Sequence, residues 1–376
     1  MTAMTAAQAK ARAAALAGAD DFGPSGFEEG LARALAAFPR LPLKPEVMTA
    51  AMDRIVQDLA NRLRIEQWYA AHPEIAEQDI EGPVLVCGLP RTGTTATVGM
   101  LALDPRFRFP RMWEMSQPVP PPRLGEEADD PRAVDYREAI KAHSHATQHI
   151  ADPDGPEEDM VGLAPLDMHA YHGAFPMPDD FIAWWASADF TSTYAYHRRV
   201  LKLLQSQRPP HLWLLKGPVH LFQLEAFAAE YPNTKFVWTH RDPASVIPSV
   251  SSLQYTLHSA RCVEGALDKA AAGPKTLAFW AEGMERALAA RNRLGEHRFI
   301  DVWNRDVVAR PVETFAGLYD RLDFDFTPQL EADVADYNRR NAQGAFGEHR
   351  YTAEEYGLSN EAIREAFADY CARFDV

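Results

Sequence analysis

Residues 83–101 read PVLVCGLPRTGTTATVGML: an apolar run, a turn bracketed by Gly88 and Gly93, and a continuation in helical pattern. Two glycines at this spacing let the chain bring backbone N–H groups close to an anion, and the positive end of the next helix adds to the attraction. In nucleoside triphosphate loops a lysine follows the second glycine; here that position is Thr94. The nearby cation is Arg91, and Pro90, Thr92, Thr94 and Thr95 complete the turn. Arg91 has no packing reason to sit in a tight turn, so we read it as a phosphate ligand. The threonines offer hydroxyls and N–H groups at a helix start, where plain capping is the simpler alternative.

Three other stretches carry candidate chemistry. HLWLLKG (211–217) puts Lys216 at the carboxyl end of a strand, where open α/β sheets place their ligands. THRDPASVIPSV (239–250) runs from a strand end through Arg241 to Ser249. A protein kinase catalytic loop needs an asparagine five residues after the aspartate of such a motif, and Ile247 stands there instead. The stretch DGPEED supplies Glu157 and Glu158. A hydroxyl that attacks must lose its proton to a positioned histidine or carboxylate. His220, shortly after Lys216, and the pair Glu157–Glu158 are the candidates. Packing is the alternative for His220, and a solvated helix start the alternative for the acids.

Nucleoside triphosphate chemistry calls for the loop lysine and a strand-end aspartate that holds magnesium. A sulfuryl donor suits this loop better. Its transferring group carries less negative charge than a phosphoryl group, and positive side chains can balance the bridging oxygen without a metal, by analogy with phosphoryl transfer.

GLPRTGTT resembles the donor loop of the sulfotransferases that use 3′-phosphoadenosine 5′-phosphosulfate (PAPS), closest to the bacterial branch in which arginine replaces lysine. THRDPASVIPSV is similar to the family's 3′-phosphate site, which implies that Arg241 and Ser249 clamp the ribose 3′-phosphate. LLKGPVHL resembles the segment whose lysine reaches the transferring group, which implies that role for Lys216. Where the cytosolic enzymes have a histidine two residues after that lysine, this chain has Pro218. The acidic pair resembles a PEE stretch of bacterial members. RRNAQGAFGEHRYT is similar to the last donor-binding segment, with Arg340 in register, and RFIDVWNRDVVARP to a late strand and loop in which Trp303–Asn304 replace the usual tyrosine. The resemblance implies sulfuryl transfer from PAPS, with no metal, to a hydroxyl of a small apolar or aromatic acceptor. A nucleoside triphosphate-dependent kinase and a non-catalytic nucleotide-binding relative are the alternatives.

Elements must position these residues. PVLVCGL, HLWLLKG, TKFVWTHRD and HRFIDVW are short apolar runs of the kind found in buried parallel strands. Strands separated by helices predict an α/β fold, a three-layer P-loop-like parallel sheet flanked by helices, with an added helical N-terminal region. That region, 1–80, contains predicted helices at 6–17, 26–38 and 47–70. The last is amphipathic, with Met48, Met52, Ile55, Leu59, Leu63 and Trp68 near helical spacing. An α/β core over 81–330 with an acceptor-side insert at about 110–200, and a donor-binding C-terminal segment over 331–376, complete one expected domain. Within the insert, 118–132 reads as a loop and 133–149 as helical, and the aromatic stretch 167–196 is a candidate acceptor wall. His145, His149 and His169 have no supporting spacing.

The net charge of −15 opposes binding to nucleic acid, acidic glycans or anionic membrane. No apolar run approaches the ~20 residues of a membrane span. The alanine-rich N-terminus reads as a helix rather than a signal peptide. Three scattered cysteines with no CxxC pair suit a reduced compartment, and Cys87 reads as core. These features predict a cytoplasmic enzyme with a small-molecule partner. An oligomer is compatible with them.

Overall fold

The computed structural model describes residues 4–143, 152–160, 173–208, 211–341 and 351–376. The chain opens with helices α1 (Ala6–Ala17), α2 (Glu28–Ala37) and α3 (Pro45–Ala71). Strand β1 (Val84–Gly88) leads through the glycine turn into α4 (Thr94–Leu101), and a short strand β2 (Phe107–Arg108) follows. Helices α5 (Met112–Ser116), α6 (Pro131–His143), α7 (Asp179–Ser187) and α8 (Thr191–Gln205) come next. Then β3 (Leu212–Lys216), α9 (Leu224–Glu230), β4 (Lys235–His240), α10 (Pro243–Arg261), α11 (Lys269–Leu294) and β5 (Phe299–Trp303) follow in turn. The last described helices are α12 (Asn304–Ala309), α13 (Pro311–Leu322), α14 (Pro328–Arg340), α15 (Asn360–Ala366) and α16 (Ala368–Phe374).

The chain divides into two compact units. The first comprises Met1–Glu81, Phe109–His211 and Arg261–Val263 and is helical. Its first helix shows why the termini fall where they do. Thr5 Oγ1 accepts from the Gln8 N–H at 3.2 Å, Gln8 Oε1 accepts from the Thr5 N–H at 2.9 Å, and Gly18 ends the helix in the left-handed region. On α3 the predicted stripe is only part of the buried surface. Ile55, Leu59 and Leu63 are buried, and so are Asp58, Asn61, Arg62 and Glu66, each held by a hydrogen bond. Pairing removes the penalty that burial would otherwise impose on those groups. Of the aromatic stretch, Phe181, Trp185, Phe190, Tyr194 and Tyr196 are buried, with Trp185 edge-on to Phe190, so these rings are packed core. Residues 167–172 of that stretch, His145, His149 and His169, and the end of the 133–149 helical reading lie outside the described residues.

The second unit comprises Gly82–Arg108, Leu212–Ala260 and Glu264–Val376 and holds the sheet. Its five strands run in the order β2-β3-β1-β4-β5, all parallel, with helices flanking them. β1 is central and wholly buried, and burial pushes the Cys87 thiol well up, so Cys87 is the core residue its strand implies. The two residues of β2 pair with Leu212 and Trp213 and are too few to show a strand period in sequence. The chain leaves β1 toward one side of the sheet and β4 lies on the other. The carboxyl end of β1 is therefore a topological switch point, the usual ligand crevice of open α/β sheets.

Candidate active site

Gly88 ends β1 with φ 137°, and a Cβ there would lie 2.5 Å from the Thr239 carbonyl oxygen, so only glycine lets β1 and β4 keep this register at the turn. Gly93 has φ 97°, and a Cβ on it would lie 2.6 Å from Asn304 Nδ2. Between them Arg91 adopts φ 66°, a left-handed conformation that a long side chain holds only where its surroundings impose it. Thr92 turns its hydroxyl inward, 2.6 Å from the Leu89 carbonyl and 2.6 Å from Thr239 Oγ1, which braces the loop from beneath. The threonines do not cap α4. Gly93 is its N-cap and no side chain covers the first turn, which leaves helix-start N–H groups for another acceptor.

The switch point gathers the charges. Arg91 Nε donates to Ser249 Oγ at 3.3 Å, and Arg241 Nη1 donates to the Arg91 carbonyl at 3.2 Å. Lys216, buried at the end of β3, donates from Nζ to Thr95 Oγ1 at 3.5 Å. Arg91, Arg241, Ser249, Lys216 and the turn Pro90–Thr95 thus form one contiguous cluster, although residues 91 and 249 are far apart in sequence. Among the described residues neither Arg91 nor Arg241 forms an ion pair with a carboxylate. Two arginines joined through a hydroxyl and a carbonyl, with no acid on either among the described residues, in a chain of net charge −15, are a candidate site for an anion.

The other candidates sit differently. His220 lies on a tight helical turn, Pro218–Phe222, with no accessible surface and its ring 5.2 Å from Phe227 at 75°. Glu158 belongs to the first unit and is half-buried, its N–H donating to Glu157 Oε1 at 2.8 Å. Next to it Asp159 is buried and meets His197 Nε2 at 2.9 Å, which anchors the acidic segment. Arg340 is exposed at the end of α14 and pairs with Asp336 at 2.8 Å. Residues 342–350 of its segment lie outside the described residues.

A buried ionic network lies directly behind Arg241. His240 Nε2 bonds Asp301 Oδ1 at 2.8 Å, and Arg291 holds Asp301 at 2.6 and 2.8 Å and Glu296 at 2.6 Å. Burial opposes ionisation of Asp301, but the bonds from Arg291 and His240 outweigh it and hold the carboxyl well below the usual range. Burial also lowers the His240 pKa, against the pull of Asp301, which favours the neutral ring. With Asp301 ionised, Nε2 carries the proton and Nδ1 is left as an acceptor. Thr239, Asn304 and this network escape sequence reasoning. Asn304 alone left a trace, as a departure from the family's tyrosine.

Residues 83–328, more than half of the chain, match the model of the sulfotransferase family. The chain belongs to that family. Among solved structures, a sulfotransferase from Mycobacterium avium, STF9, is 28% identical and superposes with a TM-score of 0.91 over 100% of this chain and 98% of that one. Sulfotransferase STF1 from Mycobacterium tuberculosis is 27% identical, with a TM-score of 0.84 over 98% and 99% of the two chains. Over 299 residues the chain is 23% identical to the omega-hydroxy-beta-dihydromenaquinone-9 sulfotransferase Stf3 of Mycobacterium bovis, 73% of each protein being covered. The charged cluster at the switch point lies within the part of the chain that matches the family model. No helix among the described residues is long and apolar enough to cross a membrane.

Proposed function

We propose that this sulfotransferase moves a sulfuryl group from PAPS to a hydroxyl of a small apolar or aromatic acceptor. The observation that carries the donor assignment is the meeting of Arg91, Arg241 and Ser249, two cations and a hydroxyl with no carboxylate on them among the described residues. Arg91, Lys216 and the backbone N–H groups of Arg91–Thr95 hold the 5′-phosphosulfate, Arg241 and Ser249 hold the 3′-phosphate, and Arg340 adds a cation on the donor. The omega-hydroxy acceptor in the mycobacterial relative's name supports an alcohol as the acceptor class. Free cysteines throughout support the cytoplasm as its location.

In the transfer, the acceptor oxygen bonds to sulfur as the bond from sulfur to the bridging phosphate oxygen breaks. The electron pair stays on that bridging oxygen, beside Arg91 and Lys216, and the hydroxyl proton goes to the base. Glu158 and His220 are the two candidates for the base; the His220 ring has no accessible surface and stands edge-on to Phe227.

Thermal unfolding tests the donor. 3′-Phosphoadenosine 5′-phosphate at a hundred times its Kd adds about 2.7 kcal/mol, a rise of roughly 2 °C or more in Tm for a chain of this size. Stabilisation by this nucleotide without metal is the expected result; stabilisation by magnesium ATP alone overturns the reading. With an acceptor found by screening, the variant that removes the base, Glu158→Gln or His220→Ala, is expected to lose turnover by at least about a hundredfold. If Glu158→Gln and His220→Ala both keep wild-type turnover, neither is the base.

A further inference from the structure

The C-terminal helices α15 and α16 end the chain on the far side of β4 from the donor loop in sequence, and no part of the proposed chemistry uses them. Two of their side chains nevertheless reach the junction that carries Arg241. The Tyr370 hydroxyl, on α16, accepts from the Arg241 backbone N–H at 3.4 Å and lies 3.2 Å from His240 Nδ1. Arg364, on α15, donates from Nη2 to Asp242 Oδ2 at 2.8 Å. The other Asp242 oxygen accepts from the Ala244 N–H at 2.8 Å, which fixes the start of α10, the helix of Ser249.

We infer that α15 and α16 form a positioning clamp for Arg241, with Tyr370 and Arg364 setting where its guanidinium stands relative to Arg91 and Ser249. The direction of every bond agrees. Arg291 fixes the Asp301 carboxylate, Asp301 accepts from His240 Nε2, and the Nδ1 lone pair then accepts from the Tyr370 hydroxyl. Burial keeps the Tyr370 phenol protonated, so it can donate to His240 while its oxygen accepts from Arg241. Arg241 is the first residue beyond β4 and has no strand partner to hold its N–H. Tyr370 supplies that partner, and the Phe374 ring, stacked on His240 at 4.0 Å, holds α16 in place. Tyr370 and Arg364 are positioning residues, acting through Arg241.

This inference rests on the reading of Arg241 as the 3′-phosphate ligand, and the test separates the two. Titration calorimetry compares 3′-phosphoadenosine 5′-phosphate with adenosine 5′-phosphate, which lacks only the 3′-phosphate. The wild type is expected to prefer the first; indifference removes the 3′-phosphate reading and the clamp with it. Tyr370→Phe, which deletes one hydroxyl, is expected to shrink the preference about three- to tenfold, the worth of one hydrogen bond, with binding of adenosine 5′-phosphate unchanged. In an Arg241→Ala background the same change should cost nothing further. A wild-type preference in folded Tyr370→Phe, or equal losses for both nucleotides, overturns the clamp while leaving the donor reading intact. Arg364→Gln repeats the test at an exposed position that can be changed without emptying the core. Its preference is expected to fall in the same direction by a smaller factor, and an unchanged preference in both variants counts against the clamp.

Discussion

Two groups of arginines lie close together in the second unit and are built on opposite plans. Arg291 is almost fully buried and is matched by two carboxylates, Asp301 and Glu296, with Arg373 also on Glu296. Arg91 and Arg241 sit at the end of the sheet, bonded to a hydroxyl and a carbonyl and, among the described residues, to no acid. The first group has its charge satisfied and holds elements together, tying α11 to β5 and, through His240, to β4. The second has no acid on it among the described residues, which is why we propose it as the place an anion binds. Proximity and residue type are the same in both; the presence of carboxylates separates a brace from a site.

Removing the acid from the brace gives the largest effect. Asp301→Ala leaves Arg291 and His240 facing a buried gap, and urea unfolding is expected to show a loss of about 3 kcal/mol or more. The same pair sets an acid limit. The lowered Asp301 and His240 pKa values mean that the unfolded chain takes up protons first, so stability rises with pH in that range. The Asp301 contribution is full above the unfolded carboxylate value of about 4 and is lost below it, while that of His240 begins to fall below about 6.5. Tyr370, Arg291, Glu296 and Arg373 are the other titratable and charged groups around the pair. A variant as acid-labile as the wild type would show that the brace is not where acid acts.

Breaking the unmatched group should affect binding rather than stability. Arg91→Ala is expected to weaken 3′-phosphoadenosine 5′-phosphate by about ten- to a hundredfold, the range of a charged hydrogen bond, with Tm in the absence of ligand little changed, since alanine keeps the Cβ that strains the left-handed backbone. A large fall in Tm would place Arg91 with the brace instead. Arg340, paired with Asp336 on an exposed helix end, should matter least. Arg340→Ala is expected to change affinity less than about threefold and stability by less than about 0.5 kcal/mol. A loss as large as that of Arg91→Ala would make it a full member of the anion site.

The fold was largely legible because its signals are local. Four of the strands are continuous apolar runs, and α1 to α3 announce themselves by caps, breakers and periodicity. The turn after β1 was legible because two glycines and an arginine within a few residues dictate it. β2 was not, since two residues carry no period, and neither was α3's buried polar face, which depends on partners such as Arg199 from a distant helix. His220 shows the same limit: its place after Lys216 suggests chemistry, and its packing against Phe227 appears only once α9 is in place.

By itself the sequence determined which residue types lie at strand ends and turns, because spacing along the chain controls backbone geometry over a few residues. It also determined the acidity that makes an unmatched cation cluster conspicuous. Only the tertiary structure decided which arginines meet acids and which do not. Arg291 finds Asp301 across a helix–strand packing, Arg91 finds Ser249 across the sheet, and Tyr370 reaches Arg241 from the last helix. Such pairings are set by which elements the fold brings side by side, and no local pattern records them.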